Sequence, residues 1–145
     1  MTETALEKAQ EDVRAAMKAG DRPRVGALRM IVDALQKEAK LGKGDEVAVL
    51  QRERKKRLEA AEAYRNAGRT EQAETEALEA ELITAYLPEQ LGQDELDRLA
   101  AEAVKETGAT EPREMGQVMS VLMPRVAGRA DGKRVSAAVR QALGA

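Results

Sequence analysis

The sequence lacks cysteine, histidine, tryptophan and phenylalanine, and tyrosine occurs only twice in 145 residues. Without cysteine there are no disulfides, and without histidine as well no zinc, haem or iron–sulfur ligand set can be assembled. The usual general base at neutral pH is missing, together with every catalytic triad that depends on histidine. So few aromatic rings leave almost no platform for stacking single-stranded bases. We therefore predict no metal and no cofactor.

Long apolar runs are also absent from the chain. The stretches without a charged residue are too short to span a bilayer, so we expect no membrane segment. The N-terminal residues, Met1-Thr2-Glu3-Thr4, contain neither a basic segment nor an apolar one, and therefore do not indicate secretion. Together with the missing cysteines, these features favour a cytoplasmic protein.

Helical periodicity is the strongest positive signal in the first 90 residues. Apolar residues recur at helical spacing in four segments, and no segment shows the alternation of a β-strand. The predicted helices run from Thr4 to Ala19, from Asp21 to Leu41, from an N-cap at Asp45 to Ala67, and from a cap at Thr70 to Leu87. Because short turns containing glycine join them, we expect antiparallel neighbours.

Three shorter helices are predicted in the remaining residues. The first starts at Gln93 or Asp94 and stops at Gly108. Thr110 caps the second, which breaks at Pro124 and Gly128, and Asp131 caps the last. The predicted fold class is all-α, with antiparallel helical hairpins of about four helices in domain 1–90. A small three-helix bundle follows in domain 91–145.

The second of these short helices carries an apolar face rich in methionine. Its residues are Met115, Val118, Met119, Leu122 and Met123. The spacing predicts that this face forms the core of the bundle. Methionine also suits adaptable protein interfaces, so a contact with a partner protein is the alternative.

Charge is distributed unevenly over the C-terminal part of the chain. Residues 88–114 have a net charge of −5 and residues 115–145 a net charge of +4, whereas the whole chain has −2. Such a basic end permits a directed contact with nucleic acid without favouring indiscriminate binding. The candidate nucleic-acid-binding residues are Arg125, Arg129, Lys133 and Arg134.

The corner between the last two helices has two interpretations. As structure, Gly128 supplies a left-handed residue, and Asp131 and Gly132 make the turn that starts the last helix. As a functional site, the free N–H groups of that helix attract phosphate together with Arg129 and Lys133. The negative charge of Asp131 at the helix terminus favours the structural interpretation.

A second basic run occurs in the third helix. It reads QRERKKR over Gln51–Arg57 and has a local charge of +4. In one interpretation it pairs with the acidic fourth helix, with Lys56 and Arg57 near Glu79 and Glu81. In the other, a patch faces a phosphate or a partner protein. The residues that project past most of the acidic positions are Arg52, Arg54 and Lys55.

No catalytic constellation is visible in the sequence. Ser120 and Ser136 lie outside any nucleophile elbow, and no phosphate-binding glycine loop occurs. No carboxylate cluster stands apart from the solvated helix faces. We therefore assign no catalytic residue, and the chain has the character of a binding module.

Four segments together resemble the GatB/YqeY family, and specifically its free-standing YqeY-like proteins. They are AGDRPRVGALRMIVDAL, LQRERKKRLEAAEAYRNAGR, AYLPEQL and MGQVMSVLMPRVAGRADGKRVS, and they cover nearly the whole chain. The resemblance implies an all-helical protein with a small C-terminal bundle. It also implies an association with carbon–nitrogen ligase activity that uses glutamine as the amide donor.

The second half also resembles the tail of GatB, a component of the glutamine-dependent aspartyl/glutamyl-tRNA amidotransferase, and that tail helps to hold tRNA. Gly116-Gln117-Val118-Met119 matches the tail, whereas Asp131-Gly132 replaces its Asn-Pro. The resemblance implies tRNA or amidotransferase components as partners. The kinase-like half of GatB and the separate glutaminase component have no counterpart in these residues. The alternative is a protein–protein interaction module with no nucleic-acid role.

Overall fold

The computed structural model describes residues 3–144, and every regular element in that range is helical. Seven α-helices follow one another: α1 (Ala5–Ala19), α2 (Arg22–Leu41), α3 (Glu46–Asn66), α4 (Thr70–Thr84), α5 (Gln93–Thr107), α6 (Met115–Val126) and α7 (Gly132–Ala142). The predicted all-α class is confirmed. The first two N-terminal residues, which entered the argument about secretion, lie outside the described range.

The chain divides into two compact units, residues 1–88 and residues 89–145. The first unit contains α1 to α4 and the second contains α5 to α7. The assignment of 1–90 and 91–145 as domains stays a prediction. Over residues 3–144, no helix is both long and apolar enough to cross a membrane.

The two helical hairpins of the first unit turn in the same way. After α1, Gly20 adopts a left-handed conformation with φ 72°, and the N–H of Asp21 donates to a carbonyl five residues back at 3.0 Å. After α3, Gly68 has φ 75°, and the N–H of Arg69 makes the equivalent bond at 2.8 Å. In this Schellman geometry the residue after glycine closes one helix and also caps the next.

Polar side chains cap the starts of α1, α2 and α3, and the cap at Asp45 was predicted. Thr4, Asp21 and Asp45 each accept the backbone N–H three residues further on, at 3.0 to 3.2 Å. The predicted cap of α4 at Thr70 is wrong, because the N-cap is Arg69 and no side chain accepts a hydrogen bond there. In the tight turn Arg69 both closes α3 and is the N-cap of α4, so Thr70 is already the first helical residue.

The core of the first unit comes from α2, α3 and α4 together with α1. Its largest buried side chains are Leu28, Ile31, Leu35, Val49, Leu50 and Ile83. On α3 and α4, the buried alanines Ala61, Ala73 and Ala80 are small, which favours close packing of these two helices. The start of α1 is fixed by Glu46 on α3, whose carboxylate accepts the N–H groups of Ala5 and Leu6.

The last turn before Pro88 departs from the prediction. The helix α4 ends at Thr84 rather than at Leu87, and the N–H groups of Tyr86 and Leu87 donate to carbonyls three residues back. A tightened turn of this kind follows because the residue before proline is disfavoured in α-helical geometry. The Tyr86 hydroxyl donates to Asp12, which holds the turn against α1.

The second unit is a three-helix bundle around its own core. The fully buried side chains include Leu96, Val118, Leu122, Val126, Val135 and Val139. Met115 and Met119 pack against this core, whereas Met123 is 38% exposed. The prediction that the methionine face forms core is therefore confirmed except at Met123.

The start and the end of α6 both differ from the prediction. Thr110 does not cap α6, because a short 3₁₀ turn with a capping box of Glu111 and Glu114 precedes the helix. The N-cap of α6 itself is Glu114. The helix does not break at Pro124 but continues to Val126. Pro124 is exposed, so water can hydrate the one carbonyl that loses its amide partner.

Candidate nucleic-acid interface

The corner between α6 and α7 is built from two left-handed residues and a side-chain cap. Ala127 has φ 47° and Gly128 has φ 81°, so the left-handed stretch begins one residue before the predicted one. Asp131 then caps α7, since its Oδ1 accepts the N–H of Arg134 at 2.8 Å. Gly132 is the first residue of α7, and open space surrounds the position of a Cβ there.

The segment that precedes α5 braces this corner. The N–H of Leu91 donates to the carbonyl of Arg129 at 2.7 Å, and the side-chain amide of Gln90 donates to the carbonyl of Gly128 at 3.1 Å. In return, the guanidinium of Arg134 donates to the carbonyl of Leu91 at 2.9 Å. Because the backbone carbonyls of the corner are occupied from within the unit, its conformation is fixed without a ligand.

Of the four predicted binding residues, two have structural partners. Arg134 is half-buried and engaged with Leu91, as described above. Arg125 forms a bidentate pair with Glu106 on α5, with Nη1 3.1 Å from Oε1. The hydrogen bonds from Arg125 hold the pKa of the Glu106 carboxyl below its ordinary value. A phosphate would therefore compete with a carboxylate for Arg125.

The other two predicted binding residues are exposed. Arg129 and Lys133 lie on either side of the Asp131 cap, and neither forms an ion pair within residues 3–144. The braced backbone holds the Cα positions of both, so their charges are presented from a fixed corner. Of the predicted set, Arg125 and Arg134 are thus engaged within the unit, and Arg129 and Lys133 are exposed without an ion pair in residues 3–144.

Arg140 on α7 belongs to the same basic region but was not predicted from the sequence. This side chain is exposed and lies two helical turns from Lys133, opposite the buried Val135 and Val139. The sequence does indicate that Arg140 shares a helix face with Lys133, because the two residues have i, i+7 spacing. The apolar positions of α7 identify the buried side of the helix and not this pair of cations.

The second basic run makes contacts on three different helices. Arg52 lies 3.6 Å from Glu38 on α2, and the Nε of Arg54 donates to the Thr84 hydroxyl on α4 at 2.8 Å. Lys55 lies 3.9 Å from Glu59, one turn further along α3. These contacts favour the interpretation in which the run pairs within the fold.

Arg57 is the centre of that pairing. Its Nε lies 3.3 Å from Glu79 and 3.9 Å from Glu76, and its Nη2 lies 3.6 Å from Glu53. Lys56, which was expected to reach the same acidic helix, instead contacts Glu53 at 3.2 Å. Burial raises the pKa of Glu79 above its ordinary value, and repulsion from Glu76 raises it further.

Acidic clusters and cavities are the features that could hold a metal or an organic substrate. Within residues 3–144, no group of three carboxylates is placed to hold a metal ion. A cavity of about 10 Å³ lies beside Arg57 between α2, α3 and α4. A cavity of that size has room for about one water molecule, so it cannot enclose a substrate.

Comparison with known proteins shows the family of this chain. A family model described as YqeY-like protein matches residues 6–143. The chain belongs to the YqeY-like family. A relative in Pyrenophora tritici-repentis (strain Pt-1C-BFP) is named altered inheritance of mitochondria protein 41, mitochondrial. It is 28% identical over 149 aligned positions, which cover 97% of this chain and 81% of the relative.

The family match supports the resemblance to YqeY-like proteins that the sequence shows. The resemblance to the tail of GatB is not tested by it and stays a prediction. The relative's name refers to mitochondria, so the cytoplasmic location expected from the sequence also stays a prediction.

Proposed function

We propose that this YqeY-like protein is an accessory module that contacts tRNA, or the machinery of tRNA amidation, through the basic end of its C-terminal unit. The observation that carries the proposal is the pair of exposed cations, Arg129 and Lys133, on a corner braced by Gln90 and Leu91. A rigid backbone reduces the entropy lost when these side chains bind a phosphate.

The chemistry of the corner suits phosphate groups better than bases. Arginine and lysine recognise phosphate through charge-assisted hydrogen bonds. Tyr64 and Tyr86 are the only aromatic residues in the sequence, and both lie in the first unit. Contact with the phosphates and the shape of folded RNA is therefore expected, rather than stacking on unpaired bases.

Fluorescence anisotropy with labelled tRNA between about 50 and 200 mM salt tests the proposal. Arg129→Ala combined with Lys133→Ala should weaken binding and flatten the dependence of the affinity on salt. Arg98→Ala combined with Lys105→Ala removes the same charge from the acidic segment and should leave binding almost unchanged. Absence of binding by the wild-type protein at about 50 mM salt, or equal effects of the two double variants, would contradict the proposal.

A second candidate function is a protein–protein interaction through α6. The exposed side of this helix is largely uncharged before Arg125, although charged residues make up 34% of the chain. Its residues are Gly116, Gln117, Ser120, Met123 and Pro124. A partner protein that remains bound after nuclease treatment, and is released by Gln117→Arg, would support this function over tRNA binding.

A further inference from the structure

The two sides of α7 differ completely in character. Val135, Ala138 and Val139 are buried in the bundle. On the opposite side, Lys133, Ala137, Arg140 and Gln141 are exposed. We call these four residues the α7 outer face. It is continuous with the corner, because Arg129 precedes α7 by only three residues.

The two cations of the α7 outer face form no ion pair with a carboxylate in residues 3–144. No acidic residue occurs between Gly132 and the C-terminus. Arg98 on α5, another exposed cation of this unit, does have partners, since it contacts Glu95 and Glu102 at 2.8 Å. Apart from Asp131, which caps the start of α7, the helix carries only positive charge, and this charge attracts a polyanion.

The spacing of the α7 outer face matches an extended ligand better than a single anion. Lys133 and Arg140 are seven residues apart, which places them about 10 Å apart along the helix axis. When both side chains extend away from the helix, they can reach different phosphate groups of one ligand. Ala137 lies between them and has no atom beyond Cβ, so the helix backbone can approach the ligand closely. Gln141 adds an amide that both donates and accepts hydrogen bonds.

These features favour an A-form RNA duplex over other polyanions and over a protein. The minor groove of A-form RNA is wide and shallow and displays 2′-hydroxyl groups between two rows of phosphates. A helix face with one short central residue, flanking cations and an amide suits that surface. The face has no aromatic residue on which to stack single-stranded bases, and it has no large apolar residue to anchor a protein interface.

We infer that the α7 outer face docks along the minor groove of an A-form RNA duplex, with Lys133 and Arg140 on different phosphates and Gln141 at the 2′-hydroxyls. The inference rests on the proposed tRNA contact and adds to it the type of RNA structure and two further contact residues. The double-helical arms of tRNA have this form.

Two matched substitutions of alanine by glutamate test where the duplex lies on the protein. Ala137→Glu puts a negative charge in the middle of the outer face, and Ala101→Glu puts the same charge on an exposed position of α5. Both positions are exposed and helical, so circular dichroism should show equal helix content. We expect Ala137→Glu to weaken binding to tRNA at least tenfold, and Ala101→Glu to weaken it less than twofold.

A second pair of variants tests the contact made by Arg140. Arg140→Gln should weaken binding about fivefold to tenfold at about 100 mM salt. The magnitude of the slope of log K against log salt concentration should fall by about 1, as expected for the loss of one phosphate contact. Lys105→Gln removes the same charge from α5 and should change neither quantity. An RNA duplex of about 16 base pairs should bind more tightly than a DNA duplex of the same sequence, and Gln141→Ala should reduce this preference.

The outcomes separate the inference from the proposal on which it rests. If Arg129→Ala with Lys133→Ala weakens binding while Ala137→Glu and Arg140→Gln bind as the wild type does, the tRNA contact stands and docking along α7 is overturned. Equal binding of the RNA and DNA duplexes also overturns the inference. If the wild-type protein binds no tRNA at about 50 mM salt, the proposal and the inference both fail.

Discussion

Individual arginine side chains in this protein have different roles that depend on what the fold places beside them. Arg57 is surrounded by three glutamates, and Arg134 donates to the Leu91 carbonyl, 43 residues away in sequence. Arg129 and Arg140 are exposed without an ion pair in the described range. Sequence patterns identify most of these cations as charged positions. Sequence patterns cannot tell the paired arginines from the unpaired ones, because the partners of the paired arginines come from distant segments.

The carboxylates around Arg57 provide a pH-dependent prediction at Glu79. The pKa of this carboxyl is raised in the folded state, mainly by burial. A carboxyl group whose pKa is raised by folding destabilises the folded state above its folded pKa, and has no such effect below its unfolded pKa of about 4.3. We therefore expect Glu79→Gln to raise the free energy of unfolding at pH 7. The gain should shrink to near zero at about pH 4.

Urea unfolding followed by circular dichroism measures this difference at each pH. Glu81→Gln is the matched control, because Glu81 lies on the same helix and is exposed. It should change the free energy of unfolding little at either pH. A loss of stability in Glu79→Gln at pH 7 would mean that the ion pair with Arg57 outweighs the cost of burying the Glu79 charge.

Asp131 has opposing effects on the corner. Its side chain caps α7, and its negative charge lies between Arg129 and Lys133. Asparagine caps helices about as well as aspartate, so Asp131→Asn removes the charge and keeps an acceptor. If the corner binds tRNA, the variant should bind about fivefold more tightly at about 100 mM salt. Its stability should change by less than about 1 kcal/mol.

Fluorescence anisotropy with labelled tRNA and thermal unfolding measure the two effects of Asp131→Asn. The control is Asp94→Asn, which removes the same charge from the acidic start of α5. It should leave the affinity almost unchanged. Unchanged affinity in Asp131→Asn would indicate that the corner does not face RNA.

At the scale of the helix, local sequence signals predicted most of the architecture. The starts of α3 and α7 were predicted from their aspartate caps, Asp45 and Asp131, and the structure has both caps. The predicted caps of α4 and α6 were wrong because neighbouring residues took the role. The brace between Leu91 and Arg129 was not predicted, since no local pattern relates residues so far apart.

Because no side chain caps the start of α4, we expect that a substitution at its N-cap can stabilise the protein. Arg69 has φ −96° and ψ 75°, close to the −85° and 82° of Asp21, which caps the equivalent turn. Because the backbone already has the capping conformation, Arg69→Asp should place a carboxylate oxygen within reach of the N–H three residues on. We expect the free energy of unfolding to rise by about 1 kcal/mol.

Arg69→Ala provides the control for the loss of the arginine side chain. It should be no more stable than the wild-type protein, because alanine is a poor N-cap. Thermal unfolding of the three proteins at one pH makes the comparison. If Arg69→Asp and Arg69→Ala have the same midpoint, the carboxylate does not reach the helix terminus.

For the whole molecule, the small size of the C-terminal unit limits its stability. A helical bundle of fewer than about 70 residues gains only about 3 to 5 kcal/mol from a single core. Three hydrogen bonds between residues 90–91 and the α6–α7 corner contribute to this unit, and Leu91 is only 5% exposed. The residues before α5 are therefore part of the bundle rather than a linker.

This arrangement predicts how fragments of the chain will fold. A fragment of residues 89–145 keeps the brace and should be helical and unfold cooperatively. A fragment of residues 93–145 contains the same three helices but lacks Leu91, whose burial alone contributes about 2 kcal/mol. It also leaves the carbonyls of Gly128 and Arg129 without their partners. We expect it to lose most of its stability and much of its helix signal at about 25 °C.

Circular dichroism and urea unfolding of the two fragments decide the question. Leu91→Ala in the longer fragment is the intermediate case, because it removes the apolar side chain and keeps the backbone hydrogen bonds. Its stability should fall between those of the two fragments. Equal stability of 89–145 and 93–145 would show that the brace is dispensable. The rigid presentation of Arg129 and Lys133 would then have to come from the helices alone.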